Sequence, residues 1–416
     1  MYLAMQRPMT TTALAAHAIP CGVRERMEER AMSRTVLSLV CLGWALIPST
    51  LLAADFTTRC AAPGVIRCVG FDNAVDLVGD WGDNHGSDPG TNPASSPELD
   101  TTIKSSGASS MKFTIASQSG SGGAGSWFTN FSNDLSVQFG ENSTFYVQWR
   151  QRFSPEFINT VYLGNGGGPA GGWKQAIIGT GDQLWCDGGT NVNAPCTTAA
   201  DCPGGSCAAC ESVGGDPRAC ATSCSALEVP TQNTNQRKLP QMYNSCTGST
   251  SHGPYDPFNE NFGAYDFKLQ NARPSPYCLY SQGQTNPPSY FPPNGACFGY
   301  SPNEWMTFQV QIQTGPRAND EFTNSYVRLW VSRDGQASEA VLNWGPYNLT
   351  AGPPARNYKF GKVHLLPYHT EKSATQSHPT AYTWYDELII SRNKIADPDG
   401  APAGTPPAAP SNVRVQ

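Results

Sequence analysis

The sequence predicts an all-β protein in which two antiparallel sheets pack as a sandwich, and three observations lead to this prediction. The 416 residues include 41 Gly and 34 Pro, and only 14% of them are charged. Aromatic residues make up 10% of the chain. This composition is typical of sheet proteins with long loops. Short segments of alternating apolar and polar residues recur along the chain, without amphipathic helices between them.

Residues 1–54 have the character of a leader and are excluded from the predicted fold. Met32-Ser-Arg34 is a short basic start, the next eighteen residues are mostly apolar, and Ala53-Ala54 offers a cleavage site. The alternative is a membrane anchor, but the apolar run is short and interrupted by Pro48. We therefore expect a signal peptide starting at Met32, and no membrane association after its removal.

The remaining chain is predicted to be one sandwich domain at 55–395, followed by a Pro/Ala-rich linker at 396–416. The last residues of this linker resemble the start of a fibronectin type III module. The formal net charge of −6 is mild and no basic run occurs, so we expect no nucleic-acid partner.

Twelve cysteines follow the leader, and an even number in an exported chain predicts disulfides. We expect Cys60 to pair with Cys68, Cys224 with Cys246, and Cys278 with Cys297. The other six lie in a loop insertion at about 180–223 and are expected to pair within it. The alternative, a zinc site at Cys207-Ala-Ala-Cys210, is disfavoured because this cluster contains no histidine.

Three segments show the clearest strand pattern. In 305–313, Met306, Phe308, Val310 and Ile312 are predicted to point inward, and the intervening Thr and Gln residues outward to solvent. In 144–153, an apolar face alternates with a polar face that carries two arginines. In the closing strand 382–391, even-numbered and odd-numbered residues are predicted to occupy opposite faces. Its expected partner is an N-terminal strand at 69–73.

Four segments together resemble the C-terminal half of secreted heparin-lyase-like and alginate-lyase-like domains of the concanavalin A-like jelly-roll superfamily. They are 305–313, Tyr326–Val331 with Arg333-Asp-Gly335, Lys359-Phe-Gly-Lys362, and Trp384-Tyr-Asp-Glu-Leu388. The resemblance implies a jelly-roll sandwich whose concave sheet holds a sugar chain in a groove. The superfamily also includes legume lectins and laminarinases.

The sequence departs from these families at two motifs. It contains no Glu-x-Asp-x-x-Glu run, which argues against glycoside hydrolysis by neighbouring carboxylates. It also has Val363 where the second Tyr of the alginate-lyase motif Tyr-x-Lys-Ala-Gly-x-Tyr would fall. His364, Tyr368 and His369 are therefore expected to replace that tyrosine rather than match it.

A lyase that cleaves uronate polysaccharides needs a group that neutralises the carboxylate, a base, and an acid for the leaving oxygen. The candidate catalytic residues are His364, Tyr368, His369, Tyr243 and Lys174. The candidate substrate-binding residues are Arg150, Arg152, Gln175, Gln232, Asn233 and Arg237. For the two strand arginines the alternative is a solvated outer face.

Asp386, on the closing strand, is a candidate metal ligand. The resemblance implies that an acid here helps to hold a structural Ca²⁺ together with the N-terminal segment, where Asp72 could assist. The alternative is a hydrogen bond from a loop amide to this carboxylate.

Our expectation is a secreted or periplasmic bacterial enzyme, monomeric, that cleaves an acidic polysaccharide by β-elimination without an organic cofactor. Two alternatives stay open. One is a non-catalytic, lectin-like module whose aromatic side chains stack on sugars. The other is a structural cell-surface protein in which the cysteine-rich insertion mediates contacts.

Overall fold

The computed structural model describes residues 55–77, 85–170, 172–208, 227–233, 240–242, 244, 298–319, 321–352 and 355–398. The described residues are mainly β-strands, joined by three short helices and one 3-10 turn. Two antiparallel sheets pack as a sandwich, so the predicted fold class is confirmed.

The strands are β1 (Val65–Val69), β2 (His85–Pro89), β3 (Glu98–Asp100), β4 (Ser110–Ile115), β5 (Gly125–Asn130), β6 (Thr144–Phe153), β7 (Gly172–Thr180), β8 (Leu184–Gly188), β9 (Pro195–Cys196), β10 (Gly205–Ala208), β11 (Glu228–Asn233), β12 (Gln241–Met242), β13 (Met306–Gln313), β14 (Arg317–Ala318), β15 (Glu321–Arg333), β16 (Glu339–Thr350), β17 (Phe360–Leu365), β18 (His369–Thr370) and β19 (Ala381–Ser391). The helices are α1 (Phe56–Cys60), α2 (Ala74–Leu77) and α3 (Pro155–Asn159), and the 3-10 turn is Ala199–Asp201.

The first sheet has the strand order β14-β15-β13-β6-β19-β4-β3, with β16 added beside β15 and β1 beside β19. The second sheet has the order β12-β11-β7-β17-β5-β2, with β18 beside β7. The chain therefore changes sheets between β16 and β17. The short spacing of the alternating segments from residue 305 to the closing strand predicts one continuous meander, and this prediction is wrong.

The core lies between the two sheets and is built from alternate residues of each strand. On β13, Met306, Phe308, Val310 and Ile312 have no exposed surface, as predicted. The Phe308 ring stacks on Trp149 of β6 with centroids 5.5 Å apart. Full burial of each large apolar side chain contributes about 1.5–3 kcal/mol to the free energy of unfolding.

The closing strand β19 contains a β-bulge that the alternation pattern did not predict. Asp386 pairs with Arg150 and Ile389 with Gln148, so three steps along β19 match two along β6. Glu387 adopts a φ of 51°, in the left-handed region. Asp386 and Glu387 therefore both point away from the core, while Leu388 returns to it. The prediction that Asp386 and Leu388 share one face is wrong.

Charged groups cover the outer face of the first sheet around this bulge. Arg59 of α1 donates a hydrogen bond to Gln148 Oε1 at 2.6 Å and forms an ion pair with Glu387. Arg150 forms an ion pair with Asp334 and lies 4.0 Å from Glu387 Oε1. Both arginines are buried, so helix α1 closes this face.

The glutamines of β13 also lie on this outer face, but Gln309 and Gln311 are buried rather than exposed to solvent as predicted. Gln309 exchanges two hydrogen bonds with the backbone of Ile395, at 3.0 and 2.8 Å. Gln311 is 8% exposed and accepts a hydrogen bond from Arg328. The chain after β19 therefore packs back on the first sheet.

The cysteine-rich insertion folds into a small three-stranded sheet, β10-β8-β9, where a loop was expected. Disulfides join Cys186 to Cys202 and Cys196 to Cys207, within the insertion as predicted. The predicted Cys60–Cys68 disulfide is present. The pairings predicted for Cys224 with Cys246 and Cys278 with Cys297 lie outside the described residues.

Other local expectations are corrected in their bounds. The N-terminal partner of the closing strand is confirmed, but it is β1 at 65–69 rather than 69–73. Residues 79–110 are rich in Gly, Asp, Asn, Ser and Pro, which predicts a loop, but they contain β2 and β3. The segments 227–232 and 240–245 predict a hairpin, and this hairpin is present as β11 and β12. Among the described residues, no helix is long and apolar enough to cross a membrane.

Replacement of Arg59 by alanine should lower the free energy of unfolding by about 3–5 kcal/mol, because it leaves the buried Glu387 carboxylate without its closest cation. The matched control is Lys112→Ala, which breaks a partly exposed ion pair with Glu98 and should cost at most about 1 kcal/mol. Urea unfolding followed by tryptophan fluorescence measures both. Equal losses in the two variants would contradict the assigned role of Arg59.

Candidate functional site

Four polar side chains share the outer face of the second sheet, and we call them the cationic face: Lys174, Lys362, His364 and Tyr368. On β17, Val363 and Leu365 belong to the core, so the alternating Lys362 and His364 point outward. Backbone pairing places Lys174 of β7 beside Tyr368, since the Lys174 N–H donates to the Tyr368 carbonyl at 2.8 Å.

Strand β7 contains a register shift at Gln175, directly after Lys174. Thr231 pairs with Ala176 and Gln232 with Lys174, so Gln175 is an extra residue in this strand. Its side chain points between the sheets, where it donates to Gln151 Oε1 at 3.0 Å and accepts from the hydroxyl of Tyr300 at 2.6 Å. Gln175, predicted to bind substrate, thus belongs to a buried polar network of the core.

Lys362 is held by neighbours on both sides. Its ammonium group forms an ion pair with Asp182 and lies 4.3 Å from the centroid of the Phe128 ring. Asp182 is itself fixed, because it accepts a hydrogen bond from the Asn130 amide at 2.9 Å and donates its backbone N–H to Asn130 Oδ1 at 3.1 Å. This arrangement holds a positive charge two residues before His364.

His364 is a neutral imidazole at physiological pH. Its pKa is lowered to about 3, first by burial and then by the positive charges of Lys362 and Lys174. The Phe128 ring lies beside it, with centroids 5.9 Å apart. Part of the His364 side chain is still exposed at the protein surface.

Lys174 and Tyr368 are in direct contact. The Lys174 ammonium lies 5.4 Å from the centroid of the Tyr368 ring, a cation–π geometry. Both side chains are half-buried, so each keeps surface that faces solvent. The cationic face therefore combines two ammonium groups, one neutral imidazole and one phenol, which are the groups needed to bind an anion and move protons beside it.

The two predicted substrate-binding arginines, Arg150 and Arg152, lie on the other side of the protein. They project from the outer face of the first sheet, because the alternating Trp149 and Phe153 of β6 belong to the core. Packed sheets are about 10 Å apart, so these guanidinium groups cannot contact the same sugar unit as His364. Arg150 is engaged in the ion pairs around the closing strand instead.

His369, a predicted catalytic residue, lies inside the protein and is 1% exposed. Its Nδ1 makes a hydrogen bond with the Pro367 carbonyl at 2.9 Å, and its ring packs 4.1 Å from that of Tyr162. His378 contacts the other side of Tyr162, with centroids 5.2 Å apart. Burial keeps the His369 ring away from a polymer on the outer face.

Four other candidates are described only in part or not at all. The backbones of Gln232 and Asn233 lie in β11 beside Lys174 and Trp173 of β7. Their side chains, and the whole of Arg237 and Tyr243, lie outside the described residues, so their proposed roles stay predictions.

The proposed calcium ligands bind backbone amides instead. Asp386 accepts hydrogen bonds from the N–H groups of Ser105 and Glu387, at 2.7 and 2.8 Å, and burial raises its pKa to about 8. Asp72 accepts from Ala108 of the same loop. Amide donors and a protonated carboxyl do not fit Ca²⁺, which needs converging oxygen ligands. Calcium binding stays a prediction from the sequence.

Three residues of this site were not predicted from the sequence: Lys362, Asp182 and Asn130. Lys362 could have been identified, because it alternates with His364 and both therefore point outward from the same strand. Asp182 and Asn130 carried no such signal, because their contacts connect β5, the end of β7 and β17 across the sheet.

Comparison with known proteins gives only distant likenesses. No protein-family model and no curated protein matches this chain. A PL-14 alginate lyase from Aplysia kurodai is 10% identical with a TM-score of 0.43, over 78% of this chain and 98% of that one. The alginate lyase Aly36B is 13% identical with a TM-score of 0.36, over 83% and 97%. The binding domain of botulinum neurotoxin serotype D is 9% identical with a TM-score of 0.31, over 80% and 48%. Scores this low carry no argument about activity.

The chemical shifts of the His364 ring should not change between pH 5 and 8 in the folded protein, because its pKa is about 3. In the unfolded chain the His364 ring takes up a proton near pH 6.5, whereas in the folded chain it does so only near pH 3. The free energy of unfolding therefore falls as the pH drops from about 6.5 to about 3. NMR titration with a His364→Gln variant for assignment measures this. A midpoint near 6.5 in the folded protein would contradict the assigned environment.

Proposed function

We propose that this protein is an exported polysaccharide lyase-like enzyme that cleaves a uronate polysaccharide by β-elimination at the cationic face. One observation carries the proposal: a neutral imidazole, His364, lies on the outer face of the second sheet within the influence of Lys362 and Lys174, and Lys174 contacts Tyr368. The disulfides support export, because such bonds persist in oxidising compartments.

Lys174 would neutralise the sugar carboxylate. Lys174 and Lys362 carry the positive charges that act on His364, and a uronate carboxylate bound at the half-buried Lys174 would have its charge offset there, which makes its C5–H more acidic. Asp182 holds Lys362 in place and leaves Lys174 as the ammonium in contact with the phenol.

His364 and Tyr368 would move the protons. His364 takes the C5 proton, the C4–O4 bond breaks as the C4=C5 double bond forms, and the Tyr368 hydroxyl protonates the departing oxygen. His364 is then protonated and Tyr368 is deprotonated, and proton exchange with solvent restores both groups. Tyr368 is suited to the acid role because its ring is fixed by the neighbouring ammonium.

Substrate would also make His364 a stronger base. Two cations and burial lower the pKa of the imidazole in the free protein. A bound carboxylate offsets the charge of Lys174, which removes part of the cause of this shift and raises the proton affinity of His364. Base strength therefore develops when the substrate is present.

A second function, carbohydrate binding without catalysis, is favoured by one specific observation. An imidazole whose pKa is about 3 is a weak base, and the half-buried Tyr368 ring beside Lys174 offers an aromatic surface for a sugar. Lys174 would then serve only as an anion contact.

The decisive assay follows absorbance near 235 nm while the protein is incubated with alginate, glucuronan, heparin, chondroitin and pectate. We expect a rise on one polymer, and a rate at least about 100-fold lower for His364→Ala, because general bases contribute this much or more. The matched control His378→Ala changes a histidine outside the cationic face and should retain the rate.

No rise on any polymer, together with retention of one polymer in an affinity gel, would replace the lyase proposal with the binding function. A rate unaffected by His364→Ala and Tyr368→Phe would reject the assigned groups.

A further inference from the structure

A cleft of about 360 Å³ lies where the cysteine-rich insertion meets the sandwich. Its lining combines four side-chain amides, two aromatic rings and one lysine. These are Gln138, Gln183, Asn193, Asn357, Trp185, Tyr358 and Lys359. The proposed lyase chemistry uses none of these residues.

The insertion builds one wall of this cleft, and its two disulfides keep that wall in shape. Arg356 connects the walls, because it donates to Asn193 Oδ1 at 2.9 Å and to the Tyr358 hydroxyl at 3.0 Å. Trp185 of β8 packs edge-on against Tyr358, with centroids 5.5 Å apart. The aromatic pair is therefore a rigid part of the cleft.

Trp185 carries an unsatisfied donor. The residue is 6% exposed, and no described residue accepts a hydrogen bond from its indole N–H. A buried donor without a partner costs free energy that an acceptor on a ligand would recover. Amides that both donate and accept are suited to sugar hydroxyl groups.

The cleft lies at one end of β7 and β17, and Lys174 and His364 of the cationic face lie towards the other end of these strands. Lys359 directly precedes β17 and His364 is near its end, while Thr180 and Lys174 stand at the two ends of β7. At about 3.3 Å per residue, the five steps from Lys359 to His364 span about 17 Å. A polysaccharide that runs along β7 and β17 would reach both places.

We propose that this cleft is a distal, non-catalytic binding site for an acidic oligosaccharide. The amides and Trp185 bind hydroxyl groups, and Lys359 pairs with a sugar carboxylate. The identity of the ligand rests on the proposed function, whereas the existence of a saccharide site in the cleft does not. The consequence is tighter binding of long chains, which occupy both sites, than of short ones.

The test is isothermal titration of the His364→Ala protein with alginate, glucuronan and pectate oligosaccharides of two to eight units. The cleft variant adds Asn357→Ala and Lys359→Ala, both at side chains with exposed surface. We expect the octamer to bind about 10-fold more weakly, because one charge-assisted hydrogen bond is lost. The affinity for the dimer should change little. The matched control adds Lys104→Ala, an exposed lysine on the loop beside Asp386.

A second readout follows the indole N–H resonance of Trp185, assigned with Trp185→Phe, which should shift when the octamer is added. Equal octamer affinity in the cleft variant and the control, or a Trp185 signal that does not move, would overturn the proposal. Loss of octamer affinity with no 235 nm activity in the wild type would retain the cleft and reject the lyase chemistry. Activity at 235 nm in the wild type, together with unchanged octamer affinity in the cleft variant, would retain the lyase chemistry and reject the cleft site.

Discussion

The ion pair between Arg59 and Glu387 at the bulge of β19 is the contact on which the rest of the first sheet depends. Strand β19 pairs with β6, β4 and β1, so its register determines the position of all three. The bulge directs two acids outward, where helix α1 supplies a buried cation. Buried charges are stable only when paired, and this requirement ties the N-terminal segment to the closing strand.

This constraint makes the two outer faces of the sandwich different. On the first sheet, polar side chains bind partners within the protein. Gln309 donates a hydrogen bond to the Ile395 carbonyl, and Arg150 forms an ion pair with Asp334. On the second sheet, the polar side chains at 174, 364 and 368 are half-buried and near the surface. The polar groups of both proposed sites therefore belong to the second sheet, where the cleft lies beside the start of β17.

Alternation predicted which residues of β13 and β6 form the core, because these strands are regular over their whole length. It failed in β19, because a bulge adds one residue and reverses every following face. Gln175 was predicted to bind substrate, but the bulge in β7 directs its side chain into the core. Arg150 and Arg152 can bind a carboxylate, but they lie on the sheet opposite to His364. The alternation of apolar and polar residues does not show which sheet a strand joins.

The sequence by itself determined the all-β class and the short disulfide Cys60–Cys68, because these depend on composition and on neighbours close in the chain. The tertiary structure decided which polar faces meet. Asp182 reaches Lys362 across 180 residues of sequence, and β17 leaves the sheet of β16 for the opposite one. Such contacts arise from the pairing of distant strands, which the local pattern of apolar and polar residues does not encode.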